Sequence, residues 1–249
     1  MDLINIDETL DDLQLKGIHI IQKKDGFRFG VDAVLLANFA KVKKKATVID
    51  LCTGTGIVPF IIKGKSECGL LQGVEIQQEF VEMANRTARY NNFQDDVKFI
   101  EADLKDVEFL KSLNRVDVVT VNPPYKLHNS GILNEKDKNT IARHEVCCKL
   151  EDVIVAARVL LKDNGRLFMV HRPERIVDIL TLMRKHKIEP KRLRFVHPKP
   201  GKAPNILLIE GQRDGGAFLK IEDPLYVHLE DDSYSEEIQA LYNSQCLDL

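Results

Sequence analysis

The chain has 249 residues, of which 44% are hydrophobic and 30% charged, a composition typical of a globular protein and not of a disordered or fibrous one. No apolar run reaches the roughly 20 residues that cross a bilayer, and the acidic N-terminus lacks the basic and apolar regions of a signal peptide. The five cysteines include no CxxC pair, which argues against a disulfide framework and against a zinc site. We therefore expect a cytoplasmic protein with reduced thiols, no metal and no membrane contact.

The net charge of −2 excludes a surface that is basic throughout, but the charge is unevenly distributed. Residues 184–202 contain eight Lys and Arg against the single acid Glu189, whereas residues 222–249 contain eight acids and no Lys or Arg. A basic run of this kind is either a solvated surface or a face that contacts nucleic acid.

The first predicted elements lie before residue 45. Residues 26–30 indicate a turn or short hairpin, and Asp32 is placed to cap a helix with an apolar face. That face carries Val34, Leu35, Leu36 and Phe39. We interpret residues 1–45 as a short N-terminal extension.

Four short apolar runs follow, each bounded by turn residues. Runs separated by helical stretches are typical of strands that are buried on both faces of a parallel sheet. The predicted strands are residues 47–51, 70–76, 97–100 and 116–121.

Two stretches outside these predicted strands show the periodicity of a helix. Apolar residues fall on one face of residues 77–91, and the pattern returns at residues 150–161. Asn164 and Gly165 are suited to end the second helix.

The last third of the chain predicts a strand, a helix and a hairpin. Residues 166–170 form the strand, and Pro173 sits in the first turn of a helix that runs to about His186. Residues 192–197 and 205–210 flank a loop too short for a crossover helix, so they should be antiparallel neighbours. The pattern predicts one α/β domain over residues 1–249, with a Rossmann-like, mostly parallel sheet and an antiparallel C-terminal edge strand.

A glycine-containing turn follows the first strand of this sheet. The sequence Asp50-Leu51-Cys52-Thr53-Gly54-Thr55-Gly56 precedes a helix, and glycine at such a turn lets the backbone approach a ligand closely. The next strand ends at Glu75-Ile76, where an acid can accept hydrogen bonds from both hydroxyls of a ribose. We therefore predict a nucleotide-type cofactor site that includes Asp50, Cys52, Thr53, Gly54, Gly56, Glu75 and Ile76.

The residue types around this turn bear on which cofactor binds. A dinucleotide site would read GxGxxG, but Pro59 stands at the last glycine position. Asp50 repels a pyrophosphate and suits the ammonium of a methionine moiety, which favours S-adenosylmethionine over the NAD of an oxidoreductase. Asp103 and Leu104 follow the third strand, and Asp103 either accepts the N6 amine of the cofactor's adenine or caps the next helix.

The fourth strand ends in Asn122-Pro123-Pro124-Tyr125. An exocyclic base amine is a poor nucleophile, and two acceptors that bind its two N–H groups favour a pyramidal nitrogen whose lone pair can attack a methyl group. The Asn122 side-chain oxygen and the Pro123 carbonyl are the predicted acceptors, because proline removes backbone donors from the loop. Tyr125 can stack on the base. We predict that these four residues are catalytic and that Asn122 also contacts the cofactor.

The ordered set of strand ends resembles that of the class I amino-methyltransferases, whose (N/D)PP(Y/F) motif stands at this point. Residues 26–36, GFRFGVDAVLL, are similar to the segment before the first strand in the tRNA1(Val) adenine-N6 methyltransferase family. The similarity extends from about Gln22 to Gln212. It implies the class I methyltransferase sheet, S-adenosylmethionine as cofactor, and the adenine at position 37 of a tRNA anticodon loop as substrate.

The resemblance also implies individual roles. Phe29, Gly30 and Asp32 would help to close over the methionine end of the cofactor. Cys52 departs from the pattern, because many class I enzymes have glycine there.

Residues 126–145 form a long polar stretch beside the catalytic motif, which we interpret as a lid that orders on the substrate. Lys126, Arg143, Lys199 and Lys202 are the candidate contacts to RNA phosphates.

The sequence is also compatible with other functions. The same tetrad methylates a guanine-N2 amine in rRNA or a glutamine-N5 amide in proteins, although enzymes of those kinds usually carry an added substrate domain. A non-catalytic module that binds S-adenosylmethionine and RNA is the alternative of a different class.

Overall fold

The computed structural model describes residues 3–25, 30–124 and 148–242 of the chain. The strands are β1 (Glu8–Asp12), β2 (His19–Lys23), β3 (Val48–Leu51), β4 (Leu71–Glu75), β5 (Val97–Glu101), β6 (Val116–Val121), β7 (Leu161–His171), β8 (Ile188–His197), β9 (Ile206–Arg213), β10 (Lys220–Ile221) and β11 (Leu225–Tyr226). The helices are α1 (Val31–Phe39), α2 (Ile57–Lys65), α3 (Gln78–Tyr90), α4 (Val107–Ser112), α5 (Leu150–Leu160), α6 (Ile176–Lys185) and α7 (Glu236–Tyr242), with a 3-10 turn at Pro173–Arg175.

Among the described residues the main sheet has nine strands, and five consecutive ones are parallel in the order β7-β6-β3-β4-β5. Strand β9 pairs antiparallel with both β7 and β8, so the prediction of a mostly parallel sheet with an antiparallel C-terminal strand is confirmed. Its predicted position at the edge is wrong, because β9 lies inside the sheet. Strand β8 lies outside it, and β10 and β11 pair with β8 in parallel.

Helices cover the two faces of this sheet. The core on one face contains residues of α1, α2 and α3, and the core on the other contains residues of α4, α5 and α6. All four residues of β3 are buried, as expected for a central strand covered on both faces. The parallel arrangement brings the carboxyl ends of these strands to one edge of the sheet, where open α/β sheets bind ligands.

An N-terminal hairpin of β1 and β2 was not predicted. Glu8 is buried, and its two carboxylate oxygens accept hydrogen bonds of 2.6 Å from the Arg86 guanidinium on α3. The hydrogen bonds from Arg86 hold the pKa of Glu8 at about 2, well below its usual value. The Ile21 amide also donates to the Thr87 hydroxyl at 3.1 Å, so the hairpin is fastened to α3 at two places.

Two predicted helix boundaries are wrong. Gly30 is the N-cap of α1, which puts Asp32 in the first turn of the helix instead of at its cap. Helix α5 ends at Leu160, and Asn164 and Gly165 lie within β7, because Leu161 already pairs with Val116 of β6.

The basic run around β8 is largely paired with acids. Arg192 donates to Glu210 at 2.8 Å and to Glu222 at 3.3 Å, and its guanidinium lies 3.8 Å from the centroid of the Phe39 ring. Arg194 donates to Glu237 of α7 at 2.8 Å. The acidic segment after β9 therefore neutralises part of the basic strand, and this stretch is not an open basic face. Among the described residues, no helix is both long and apolar enough to span a membrane.

Candidate active site

Backbone conformation shapes the loop between β3 and α2. Cys52, Gly54 and Gly56 have φ values of +53°, +56° and +87°, which turn the chain sharply from the strand into the helix. A Cβ on Gly56 would lie 2.6 Å from the Phe99 ring, whereas a Cβ on Gly54 would meet no atom within 4 Å. Gly56 is therefore packed against the core, and Gly54 faces open space at the ligand edge.

Asp50 is buried at the start of this loop. Its carboxylate accepts a hydrogen bond of 2.5 Å from the Thr120 hydroxyl on the neighbouring strand β6. Burial raises the pKa of Asp50 to about 7, opposed by the hydrogen bond from Thr120 and reinforced by the nearby charge of Glu75. The carboxyl group of Asp50 therefore changes its protonation state near neutral pH.

Glu75 joins the ends of β3 and β4. One carboxylate oxygen accepts from the Gly54 amide at 3.0 Å, and the other accepts from the amides of Ile76 and Gln77 at 3.1 Å each. The carboxylate therefore holds the glycine loop against the turn that follows β4. The Ile76 side chain is 42% exposed, which leaves an apolar surface beside this acid.

Asp103 and Leu104 follow β5 at the same edge. The Asp103 carboxylate accepts from the Lys105 amide at 2.9 Å, and its other oxygen lies 3.5 Å from the Lys105 ammonium. Asp106, and not Asp103, caps α4 by accepting from the Phe109 amide at 3.0 Å. This geometry removes the helix-cap interpretation of Asp103. Leu104 is buried.

The sheet register aligns the start of the catalytic motif with the glycine loop. Leu51 pairs with Val74 on one side and with Val121 on the other, so the residues after these three strands emerge side by side. Asn122 is partly exposed and Pro123 is buried. Tyr125 lies outside the described residues.

The remaining predicted residues are dispersed. A Cβ at Gly30 would lie 2.5 Å from the Asp32 carboxylate, so a side chain there would require Asp32 to move. The Asp32 carboxylate also accepts from the Ala33 amide at 3.2 Å. Phe29, Lys126 and Arg143 lie outside the described residues. Lys199 pairs with Asp232 at 2.9 Å, and Lys202 is exposed in the loop between β8 and β9.

The sequence reading missed Thr120. The signal was available, because Thr120 is the one uncharged polar residue in the otherwise apolar end of β6, and it is fully buried. A buried hydroxyl requires a hydrogen-bond partner, and Asp50 on the adjacent strand is an acceptor within reach.

The residues at this edge fit S-adenosylmethionine. The acids Asp50, Glu75 and Asp103 offer acceptors for an ammonium, a ribose and an adenine amine, and the open space beside Gly54 lets a ligand approach the backbone. Among the residues that the structure describes, no group of three or more metal-ligating side chains occurs.

Known structures share this architecture. A predicted O-methyltransferase from Agrobacterium tumefaciens superposes with a TM-score of 0.70 at 21% identity, covering 86% of this chain and 96% of that one. A geranyl diphosphate C-methyltransferase from Streptomyces coelicolor, solved with S-adenosyl-L-homocysteine, gives a TM-score of 0.55 at 14% identity, covering 74% of this chain and 77% of that one. The sheet order and these likenesses define a class I methyltransferase fold.

The chain belongs to the methyltransferase small domain family, whose model matches residues 29–186. It is an enzyme with S-adenosylmethionine as its cofactor, and the oxidoreductase alternative is wrong. A tRNA1(Val) (adenine(37)-N6)-methyltransferase from Porphyromonas gingivalis is 28% identical over 239 residues, which cover 93% of each chain. A relative of the same name from Tolumonas auensis is 25% identical over 235 residues, covering 91% of this chain and 92% of the relative.

Proposed function

We propose that the enzyme methylates the N6 amine of an adenine in a tRNA anticodon loop. The position of Asn122 and Pro123 at the end of β6, next to the glycine loop on β3, is the observation that carries this proposal. The names of relatives that match more than nine-tenths of the chain support the choice of adenine in tRNA.

The proposed chemistry depends mainly on hydrogen-bond acceptors for the amine. The Asn122 side-chain oxygen and the Pro123 carbonyl accept the two N–H groups of the amine, which localises the nitrogen lone pair. S-adenosylmethionine supplies a methyl group made electrophilic by its sulfonium. The methylated nitrogen is acidic and releases its proton to water, and Tyr125 stacks on the base.

Each end of the cofactor has proposed contacts. Glu75 accepts from the ribose hydroxyls, since its oxygens keep lone pairs beyond those used by the Gly54, Ile76 and Gln77 amides. Asp103 accepts the adenine amine between the side chains of Ile76 and Leu104. The backbone of Cys52, Thr53, Gly54 and Gly56 lies beside the methionine end, where Asp50, Phe29, Gly30, Asp32 and Asn122 complete the site.

Phosphate contacts are proposed for Lys126, Arg143, Lys199 and Lys202. The ion pair of Lys199 with Asp232 is solvent-exposed, and exposed pairs contribute little free energy, so a phosphate can replace Asp232. Lys202 is exposed in the same loop.

The test is transfer of a labelled methyl group to unmodified tRNA transcripts that carry adenine or guanine at position 37. We expect label in the adenine transcript alone and recovery of N6-methyladenosine after digestion to nucleosides. Recovery of N2-methylguanosine, or label only in protein, would overturn the substrate. An absence of label in every substrate, with intact cofactor binding, would overturn the proposed choice of tRNA as substrate.

A variant pair tests the role of Asn122. Asn122→Ala should abolish transfer while the enzyme still binds S-adenosylmethionine. The matched control is Asn114→Ala, an exposed asparagine just before the amino end of β6 and thus at the opposite edge of the sheet. Equal activity of the two variants would exclude the proposed role of Asn122.

A further inference from the structure

Cys52 occupies a backbone position that suits glycine. Its φ of +53° lies in the left-handed region, which L side chains rarely adopt, and the other two left-handed positions of the same loop are Gly54 and Gly56. A side chain kept under such strain at a ligand-binding loop points to a role for that side chain.

A second thiol lies against it. Cys148 is placed two residues before α5, and both Cys52 and Cys148 pack on the core layer formed by α4, α5 and α6. The two sulfurs are near enough to interact, and a hydrogen bond between them shifts the pKa of each. Both are free and partly exposed, so a small oxidant can reach them.

We propose that Cys52 and Cys148 form a redox-responsive pair, which peroxide joins in a disulfide that fastens the cofactor loop to the start of α5 and weakens the binding of S-adenosylmethionine. The two sulfurs take no part in methyl transfer, and the modification does not depend on the identity of the RNA.

The surroundings assign different roles to the two sulfurs. The hydrogen bond from Cys52 lowers the pKa of Cys148, against burial and the charges of Asp152 and Asp103, with Lys105 assisting. Cys52 has its pKa raised by the same hydrogen bond, by burial, and by the neighbouring carboxylates of Glu75 and Asp50. Cys148 is thus the thiolate that meets the oxidant, and Cys52 is the thiol that resolves it.

The reaction balances with one molecule of hydrogen peroxide. The Cys148 thiolate attacks one peroxide oxygen, the O–O bond breaks, and a sulfenic acid forms as hydroxide leaves and is protonated to water. The Cys52 sulfur then attacks the sulfenic sulfur, its proton passes to the departing hydroxyl, and a second water leaves as the S–S bond forms. The two thiols lose two electrons in total, and the peroxide gains them.

The effect on the cofactor follows from the position of Cys52. This residue stands between Asp50 and Gly54, whose amide is held by Glu75 at 3.0 Å. A disulfide imposes its own Cα separation and dihedral angle, so it shifts this backbone away from the conformation that accepts the ligand. We expect the Kd for S-adenosylmethionine to rise about tenfold, which equals the loss of one hydrogen bond to a charged group.

The experiment uses the full chain treated with hydrogen peroxide and then with an alkylating reagent, digested without reductant and analysed by mass spectrometry. The expected product links the peptides of Cys52 and Cys148 with loss of two hydrogen atoms, and dithiothreitol reverses it. Fragmentation distinguishes Cys148 from the adjacent Cys147. A link from Cys52 to Cys147, or a sulfinic acid at Cys148 without any link, overturns the proposal.

Binding of S-adenosylmethionine is measured by calorimetry on the same samples. Cys148→Ser should bind as the reduced wild type does and should not respond to peroxide, whereas Cys68→Ala, which removes a buried thiol elsewhere, should respond as the wild type does. An unchanged Kd for the cross-linked wild type overturns the regulatory effect. Neither measurement requires RNA or methyl transfer, so failure here is distinguishable from failure of the proposed substrate.

Discussion

Thr120 and Asp50 lie on adjacent parallel strands and share a hydrogen bond of 2.5 Å between the hydroxyl and the carboxylate. The register of the sheet places them directly opposite each other, and both are buried. The pair joins the strand that leads to the Asn-Pro-Pro motif to the strand that leads to the glycine loop. The protonation of Asp50 can therefore affect the site at which the cofactor and the methyl acceptor meet.

The first prediction concerns the pH dependence of cofactor binding. Burial raises the pKa of Asp50 to about 7, and a bound ammonium group favours the ionised carboxylate. Binding should weaken as the pH falls through about 7, with the Kd rising about tenfold for each pH unit well below that value. Calorimetric titration over a pH series measures this slope. Asp50→Asn should bind weakly at every pH, and a wild-type Kd that does not change with pH would contradict the prediction.

The second prediction separates Thr120 from Asp50. Thr120→Val keeps the shape of the side chain but removes the hydroxyl, so the buried carboxylate loses a donor and the pKa of Asp50 rises further. The midpoint of the pH dependence should move to higher pH, and the free energy of unfolding at neutral pH should fall by about 1–3 kcal/mol.

The direction of the stability effect follows from linkage. Folding raises the pKa of Asp50 from 3.8, so ionisation of this group opposes folding. Its contribution to stability is complete below the unfolded-state pKa and is lost as the pH rises through about 7. Thr120→Ser retains the hydroxyl and should behave as the wild type, and a Val variant with an unshifted midpoint would exclude the role of this hydrogen bond.

The third prediction compares two glycines of the same loop. In Gly56→Ala the new methyl would lie 2.6 Å from the Phe99 ring at a φ of +87°, so the variant should lose about 1–3 kcal/mol of stability by overpacking. In Gly54→Ala the methyl meets no protein atom, and we expect about 1–2 kcal/mol of left-handed strain together with a clear loss of cofactor affinity. Urea unfolding and calorimetry measure the two effects. Unchanged cofactor binding by a folded Gly54→Ala variant would show that the open space is not used.

The parallel strands could be predicted from the sequence because their signal is local. Runs such as Val116–Val121 are largely apolar, short and bounded by turns, and their length and β-branched residues favour a strand over a helix. The strand ends Asp50, Glu75 and Asn122 then meet at one edge because parallel strands share a direction. For this reason the candidate site could be assembled without a structure.

The missed elements depend on contacts between distant residues. Strand β1 begins with Glu8. From the sequence alone, Glu8 resembles a solvent-exposed acid, because Arg86, the residue that binds it, lies far along the chain. The predicted end of α5 is too late because Asn164, with its φ of +62°, does not end the helix but lies within β7, where the pairing with β6 shifts register. From the sequence alone, Lys199 resembles an unpaired cation, but in the structure it forms an ion pair with Asp232.

The last prediction concerns the RNA surface. Lys202 is exposed in the loop after β8, at the sheet edge that carries the active site, whereas Lys187 is exposed just before β8 at the opposite edge. If RNA spans the active-site edge, Lys202→Ala should weaken binding of a tRNA transcript and reduce the dependence of log K on log salt by about one phosphate contact. Lys187→Ala should change neither quantity, because removing a distant cation leaves the contacts to phosphate intact. Filter binding of labelled transcript over a salt series measures both. Equal losses in the two variants would mean that the lysines act only through net charge, and an unchanged Lys202→Ala variant would place the RNA elsewhere on the protein.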